Sequence, residues 1–434
     1  MTVAIILFAA TYILMLVFDK FRPYIALASG IIFIISGMLP IGKVLDELDF
    51  NVLLMIAGTM GLVALFIESK MPALLADLVM EKVPNVQKAA VALSLFAGII
   101  SAFVDNVATV LMVAPVALEI CKKLKTNPVP FIIGIAVSSN LQGAATLVGD
   151  TTAIMLGSAL DMSFMDFFWF KGKPSVFFAV ELGAILSAVI LAFIFHKNKA
   201  PIEKNFTRTK VNDYIPTILL VGVIVLLICV SFAPDTLNLP KEINGLICCA
   251  VLVIGLIYNY IKKRNLSAIL EPLKEIDFQT LELLVGLFLM IGGIKHEGVI
   301  DAIASLLAKA GSGNIFLLYT VIVWASVLIS AFIDNIPYVA TMIPVIAALS
   351  TQLGSQMNLD SVLIAIPLYF GLLSGATLGG NCTPIGASAN ITGIGILRKA
   401  GYEVKNSDFF KIGIPFTLAA IIPAYIYIWL IYGI

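Results

Sequence analysis

The sequence predicts an all-α polytopic membrane protein of about ten spans, built as an inverted-topology repeat with two re-entrant hairpins and two broken helices. Three observations lead there. Of 434 residues, 60% are hydrophobic and 12% are charged, against roughly 45–50% and 25% in soluble domains. Apolar stretches follow one another with short polar loops and leave no room for a soluble catalytic domain. Finally, residues 101–120, SAFVDNVATVLMVAPVALEI, align without a gap on 330–349, SAFIDNIPYVATMIPVIAAL, with 8 of 20 positions identical.

Continuous apolar runs place spans near 2–18, 23–40, 49–67, 127–160, 174–196, 213–232, 243–261, 278–294, 361–398 and 409–432. The first run has no basic region before it and Lys20 and Arg22 after it, which fits a span rather than a secretory signal. Two runs are too long for one crossing and are interrupted by SSNLQGAATLVGDTT and SGATLGGNCTPIGASAN. Glycine-rich polar backbone at membrane depth is tolerated only where protein or a water-filled cavity supplies hydrogen bonds, so these are read as discontinuous helices lining a site. Regions 87–122 and 314–350 are each broken at an Asp-Asn pair, Asp105-Asn106 and Asp334-Asn335. Their halves are short for a full crossing, so each is read as a hairpin with the polar pair at its tip, two full spans being the alternative.

The repeat extends beyond the hairpins. Asp49-Phe50 matches Asp277-Phe278, Glu68 matches Glu297, and GAATLVGDTTA at 143–153 matches GNCTPIGASAN at 380–390. Each half makes five net crossings, an odd number, which inverts the second half relative to the first. The halves are 1–196 and 213–434, joined by the polar linker 197–212. Counting Lys and Arg by side puts 21 of the 27 on one face and six on the other. The positive excess marks the cytoplasmic face of a cell membrane, with both termini outside.

Zero net charge at pH 7 gives no sign of a nucleic-acid partner. The five cysteines lack disulfide or metal-ligand spacing. The expected partners are the bilayer and a small ionic substrate, with sodium or protons as coupling ion and no other cofactor.

A carboxylate at membrane depth is a functional candidate by default. Asp105, Asp150 and Asp334 all fall in backbone breaks, where carboxylate, amide and freed carbonyl oxygens can hold a cation. Helix capping is the competing role, but a neutral Asn caps equally well and both tips keep Asp. One half-site is assigned Asp105, Asn106, Asn140, Thr146 and Gly149. The other is assigned Asp334, Asn335, Asn381, Thr383, Ser388 and Asn390. Asp150, Thr151 and Thr152 are expected to couple protons or line the substrate cavity. Candidate sodium ligands are Asp105, Asn106, Asn140 and Gly149, and on the other side Asp334, Asn335, Asn381 and Asn390. The breaks are chemically unequal, with Gly149-Asp150-Thr151-Thr152 in one and Gly386-Ala387-Ser388-Ala389 in the other. No Lys or Arg falls within a tip or break, which tilts the reading toward cation coupling. Glu68 and Glu297, at matched boundaries, are expected to be simply solvated.

Segments MPALLADLVMEKV and EGVIDAIASLLAKA follow the third and eighth spans and are too short to cross. Each is expected to lie flat at the interface on one apolar stripe, 71, 74, 75, 78 and 79 in the first and Val299, Ile300, Ile303, Leu306 and Leu307 in the second.

The duplicated tips, the paired breaks and the run LGGNCTPIGASANITGIGI resemble the ion transporter superfamily, within it the arsenite-efflux permeases, NhaD-type sodium/proton antiporters and pigmentation P proteins, and more distantly the divalent-anion/sodium symporters. Those symporters carry Ser-Asn-Thr at their tips where this chain carries Asp-Asn. The resemblance implies a homodimer and an elevator mechanism, with a scaffold of about 1–86 and 213–313 and a transport unit of about 87–196 and 314–434. The expected function is a secondary active transporter rather than an enzyme. Cation/proton antiport, arsenite-type oxyanion efflux and carboxylate symport remain open. An ion channel and an intramembrane aspartyl protease are disfavoured, the latter because Leu147-Val148-Gly149-Asp150 does not match Gly-x-Gly-Asp.

Overall fold

The computed structural model describes residues 1–123, 126–197, 199–201, 208–311 and 313–434. Residues 198 and 202–207 of the linker, with Lys125 and Lys204 of the charge count, lie outside them. In the first half the helices are α1 (Thr2–Val17), α2 (Arg22–Ile35), α3 (Phe50–Glu68), α4 (Met71–Lys82), α5 (Val86–Ser101), α6 (Asn106–Lys123), α7 (Val129–Gly143), α8 (Thr151–Ala159) and α9 (Val176–Ile194). The second half continues with α10 (Ile215–Ser231), α11 (Ile243–Lys263), the short α12 (Ser267–Lys274), α13 (Phe278–His296), α14 (Val299–Gly311), α15 (Ile315–Ser330), α16 (Asn335–Met357), α17 (Ser361–Gly379), α18 (Ser388–Lys399) and α19 (Asn406–Tyr432). Apart from α12, each helix of one half has a counterpart in the other. Among the described residues, seven helices are long and apolar enough to cross a membrane singly, or eight if a bent pair counts as one span.

The helix ends follow local chemistry. Asp49 and Asp277 cap α3 and α13, their carboxylates accepting from Val52 N at 3.0 Å and Thr280 N at 3.1 Å. Asp105 accepts from Val107 N at 2.9 Å and Asp334 from Ile336 N at 3.1 Å, so both tip aspartates do cap the helices that follow them. A two-residue hairpin, Trp169–Phe170 with Lys173–Pro174, was not foreseen; it turns at Lys171 and Gly172, both at positive φ as a tight primed turn requires.

Contacts between helices repeat across the halves. α2 packs on α13 and α11 on α3; α5 packs on α7 and α15 on α17; α8 packs on α16 and α18 on α6; α9 packs on α19. α7 and the greater part of α17, from Ile364 onward, are buried among other helices, their polar residues included. That enclosure is what lets their ends carry polar backbone.

α4 and α14 pack on protein with only part of the expected stripes. The buried positions are Met71, Pro72, Ala76 and Met80 on α4, and Val299, Ile300, Ala304, Ala308 and Gly311 on α14. Leu74, Leu75, Leu78 and Val79 are only half-buried and Leu306 is exposed. Met71, Val299 and Ile300 of the expected stripes are thus buried, and the rest of each stripe keeps an accessible apolar surface of the kind an interfacial helix lays into a bilayer. Glu68 and Glu297 also differ from expectation. Glu68 is ion-paired with Lys263 and Glu297 with the amine of Met1 rather than free in solvent.

Ion pairs tie helix ends to neighbouring loops. Arg208 meets Glu81 at 2.6 Å, Lys262 meets Asp213 at 2.7 Å and Lys295 meets Glu47 at 3.0 Å. Each joins residues assigned to the same face.

Candidate functional site

The two breaks and two hairpin tips meet at one polar cluster. Asn106 donates to Asn140 Oδ1 at 3.0 Å, and Asn140 donates to Thr377 O at 2.7 Å and Asn381 Oδ1 at 3.1 Å. Asn381 in turn donates to Val137 O at 3.0 Å. Asn140 and Asn381, assigned to opposite half-sites, are therefore in direct contact. Asp150 accepts from Thr152 Oγ1 at 2.8 Å and from Asn335 Nδ2 of the other tip at 3.5 Å, while Thr152 and Thr377 hydroxyls lie 3.2 Å apart.

Several candidates fasten the site. Thr146 Oγ1 donates to Ala102 O and its repeat partner Thr383 Oγ1 to Ala331 O, each tying a break to its hairpin. A Cβ added at Gly149 would lie 2.5–2.9 Å from the carbonyl oxygens of Gly143, Ser101 and Ala102. At Gly386 it would lie 2.6–2.9 Å from those of Gly380, Ser330 and Ala331. Only glycine lets three carbonyls crowd each break so closely. Asn390 bridges the second break, donating to Gly380 O at 2.9 Å and Thr383 O at 3.0 Å, and its buried Oδ1 has no hydrogen-bond partner.

The two tips differ in their surroundings. Asp334 accepts from Ser388 Oγ at 3.0 Å and lies 3.8 Å from Arg22 Nη1, which reaches over from the start of α2. The expectation of a site without basic residues holds within the tips and breaks but not for what packs against them. Asp105 instead faces a cavity of about 140 Å³ whose lining includes Asn140, Asp150, Glu275, Asp277 and Asn335. Glu275, Asp277 and Ile67 bring this cavity in from the lysine-rich face. Next to it a void of about 10 Å³, enough for one water-sized particle, is lined by Asp105, Gly149, Asp150 and Thr151.

A second cavity of about 910 Å³ enters from the lysine-poor face past Glu47, Lys241 and Lys295. Its walls include Asp49, the repeat partner of Asp277, but among the described residues none of the polar cluster. Of these two cavities, the first reaches the cluster and the second does not.

Sequence reading missed Thr377, Ser139, Arg22, Glu275 and Asp277. Ser139 donates to Asn106 O at 2.9 Å and Ser101 Oγ at 3.0 Å. Asp277 was visible only as a marker of the repeat; its place at a cavity mouth follows from packing against the other half.

The chain is similar to known membrane proteins. The chain is 33% identical over 335 residues to a 46 kDa membrane protein of Mycobacterium leprae, covering 76% of this chain and 74% of that one. It is 32% identical over 343 residues to an uncharacterized transporter of Mycobacterium tuberculosis, covering 78% and 76%. With the P protein of Sus scrofa it shares 26% identity over 95% of its own length but only 57% of that protein's. The fold is similar to the Alcanivorax borkumensis YdaH transporter, with a TM-score of 0.60 at 13% identity over 89% and 87% of the two chains. It is also similar to Neisseria gonorrhoeae MtrF, described as illuminating a class of antimetabolite efflux pumps, with a TM-score of 0.54 at 13% identity over 97% and 84%. The family model described as "Citrate transporter" matches residues 12–369, and the chain belongs to this CitMHS family of membrane transporters.

Proposed function

We propose that the protein is a secondary active transporter that moves a small ion across the cytoplasmic membrane by alternating access, driven by a sodium or proton gradient. One observation carries this reading. The cavity that reaches the cluster is lined by four carboxylates, Asp105, Asp150, Glu275 and Asp277, and by no Lys or Arg. Such a cavity attracts cations and repels free anions. A coupling cation binds at Asp105, Gly149 and Asp150, beside crowded carbonyl oxygens of the kind that suit a hard ion, and a second at Asp334, Asn335 and Asn390. The halves are inverted repeats, and the lysine-rich face is cytoplasmic. The protein is then open to the cytoplasm, with α5–α9 and α15–α19 as a transport unit that slides in elevator fashion against α1–α3 and α10–α13. A homodimer forms through that scaffold.

A second reading concerns the cargo. The starts of α6, α8, α16 and α18 all point at the cluster, and helix N-termini hold carboxylates when bound cations neutralise the site. A citrate-like acid, or an arsenite-type oxyanion on the same terms, would travel together with its cation. In proteoliposomes under imposed sodium and proton gradients, pH-linked sodium flux without labelled citrate or arsenite movement supports antiport, whereas counterflow of either supports that anion. Asp105→Asn and Asp334→Asn keep their helix caps and are expected to lower coupled flux at least about tenfold, some 1.4 kcal/mol. Unchanged rate and coupling in both would sink the assignment.

A further inference from the structure

The two hairpin tips carry the same Asp-Asn pair, yet only one of them meets a guanidinium. Arg22 Nη1 lies 3.8 Å from Asp334 Oδ2, while Arg22 Nε donates to Met15 O at 3.1 Å and so aims the group from the α1–α2 corner. A second contact lies beside it. Tyr12 of α1 donates to Pro337 O at 2.6 Å and is hydrogen-bonded to Thr341, both on α16. The α1–α2 corner thus grips hairpin 2 at its tip.

The repeat tells what stands at the matching place for hairpin 1. Gly58 of α3 packs on Cys248 of α11, and its partner Gly286 of α13 packs on Ala26 of α2. Likewise Gly61 meets Leu252, while Gly30 meets Leu289. Both pairs give one register between α2 and α11, in which position 22 corresponds to position 244. That residue is Asn244, a neutral side chain in the cavity on the lysine-poor face. When the transport unit takes its opposite position, Asp334 leaves Arg22 and Asp105 moves toward Asn244. The guanidinium grip belongs to one orientation, and the matching position in the other is a neutral amide.

Resting on the alternating-access reading above, we propose that Arg22 is a one-sided latch. It holds the empty transporter open to the lysine-rich face by occupying Asp334 as a built-in cation, and a coupling cation that binds Asp334 displaces it and frees the unit to move. The loose approach suits this role, because an ion pair without a close hydrogen bond yields more readily to a competing ion. Ser388, which donates to the same carboxylate oxygen as Arg22 approaches, stays with the transport unit in both positions.

The test reads orientation directly. Spin labels at Ile35→Cys on α2 and Leu328→Cys on α15, both strongly exposed at 81% and 67%, report the distance between the scaffold and hairpin 2 in the full-length protein with its native cysteines replaced. Without sodium the otherwise unmodified protein is expected to show one dominant distance, and sodium to populate a second. Arg22→Gln should raise the second population at least roughly threefold without sodium, and Arg22→Lys should restore the original distribution. Asn244→Arg, with Arg22 intact, should raise the second population by building the missing grip on the other side. Identical distributions in the parent and Arg22→Gln, with and without sodium, would overturn the latch. Should Arg22→Gln not fold, an unchanged distribution in Asn244→Arg overturns it instead. The transport reading fails separately, if the unmodified protein shows neither sodium- nor proton-coupled flux, and the distance measurement still judges the grip.

Discussion

The two halves of the molecule share a plan and differ at its centre. Each half ties its break to its hairpin by a threonine, Thr146 or Thr383, and crowds three carbonyls against a glycine, Gly149 or Gly386. The first break then continues into Asp150, whose carboxylate crosses to Asn335 of the other tip; the second continues into Ala387. Tip 1 looks into an acidic cavity, whereas tip 2 is held by Ser388 and Arg22. What the halves share builds the site and sets one aspartate at each tip, and what they do not share, Asp150 and Arg22, makes its charge unequal. A duplicated architecture therefore need not yield duplicated chemistry.

The largest test of that division removes the difference. Asp150→Ala makes the first break resemble the second and takes away the carboxylate that joins Asn335, Thr152 and the cavity. Coupled flux in proteoliposomes is expected to fall at least about tenfold, while thermal unfolding of the purified protein changes little, since Ala387 shows that alanine is accepted at this position of the fold. A fully active Asp150→Ala protein would mean that the inequality of the halves carries no function.

The next test probes what the halves have in common. Gly149→Ala and Gly386→Ala each push a methyl group into three carbonyl oxygens that have no room to move apart. Both should destabilise by about 1–3 kcal/mol, as overpacking does, and by similar amounts in denaturant or thermal melts. A large difference between the two would show that the matched carbonyl clusters are alike only in outline.

Much of this was legible in the chain because it is local. The Asp-Asn tips and the glycine-rich breaks announce themselves by residue type, and helices begin and end within a few residues of them. What was not legible depends on segments far apart in sequence. Arg22 reaches Asp334 across more than three hundred positions, and Asn140 meets Asn381 across 241. Nothing in hydropathy states which helices will be neighbours. For α4 and α14, apolar periodicity marks a stripe but does not say how much of it protein covers: Met71, Val299 and Ile300 pack inward while Leu306 stays exposed.

Those two arms offer the smallest effect and the last comparison. α4 is anchored by charge: Glu81 receives Arg208 at 2.6 Å and 2.8 Å, and Asp77 accepts from Thr209 N at 2.7 Å. On α14 the hydrogen bonds to α16 are neutral, Ser305 donating to Gln352 at 3.2 Å and Gln352 to Asp301 O at 3.4 Å. The hydrogen bonds from Arg208 hold the Glu81 carboxyl below its ordinary range. A depressed carboxyl stabilises the fold above the ordinary Glu range, and that contribution disappears as pH falls through the lowered value. The pair is exposed, so the contribution is small and salt-sensitive. Melting curves of Glu81→Gln against the parent should therefore show a slight deficit at neutral pH and low salt that closes on acidification and in high salt. Ser305→Ala should show a deficit that neither acid nor salt alters. A deficit in Glu81→Gln that persists below the carboxylate range would assign the anchoring of α4 to packing at Met71, Ala76 and Met80 rather than to charge, and would make the two arms alike.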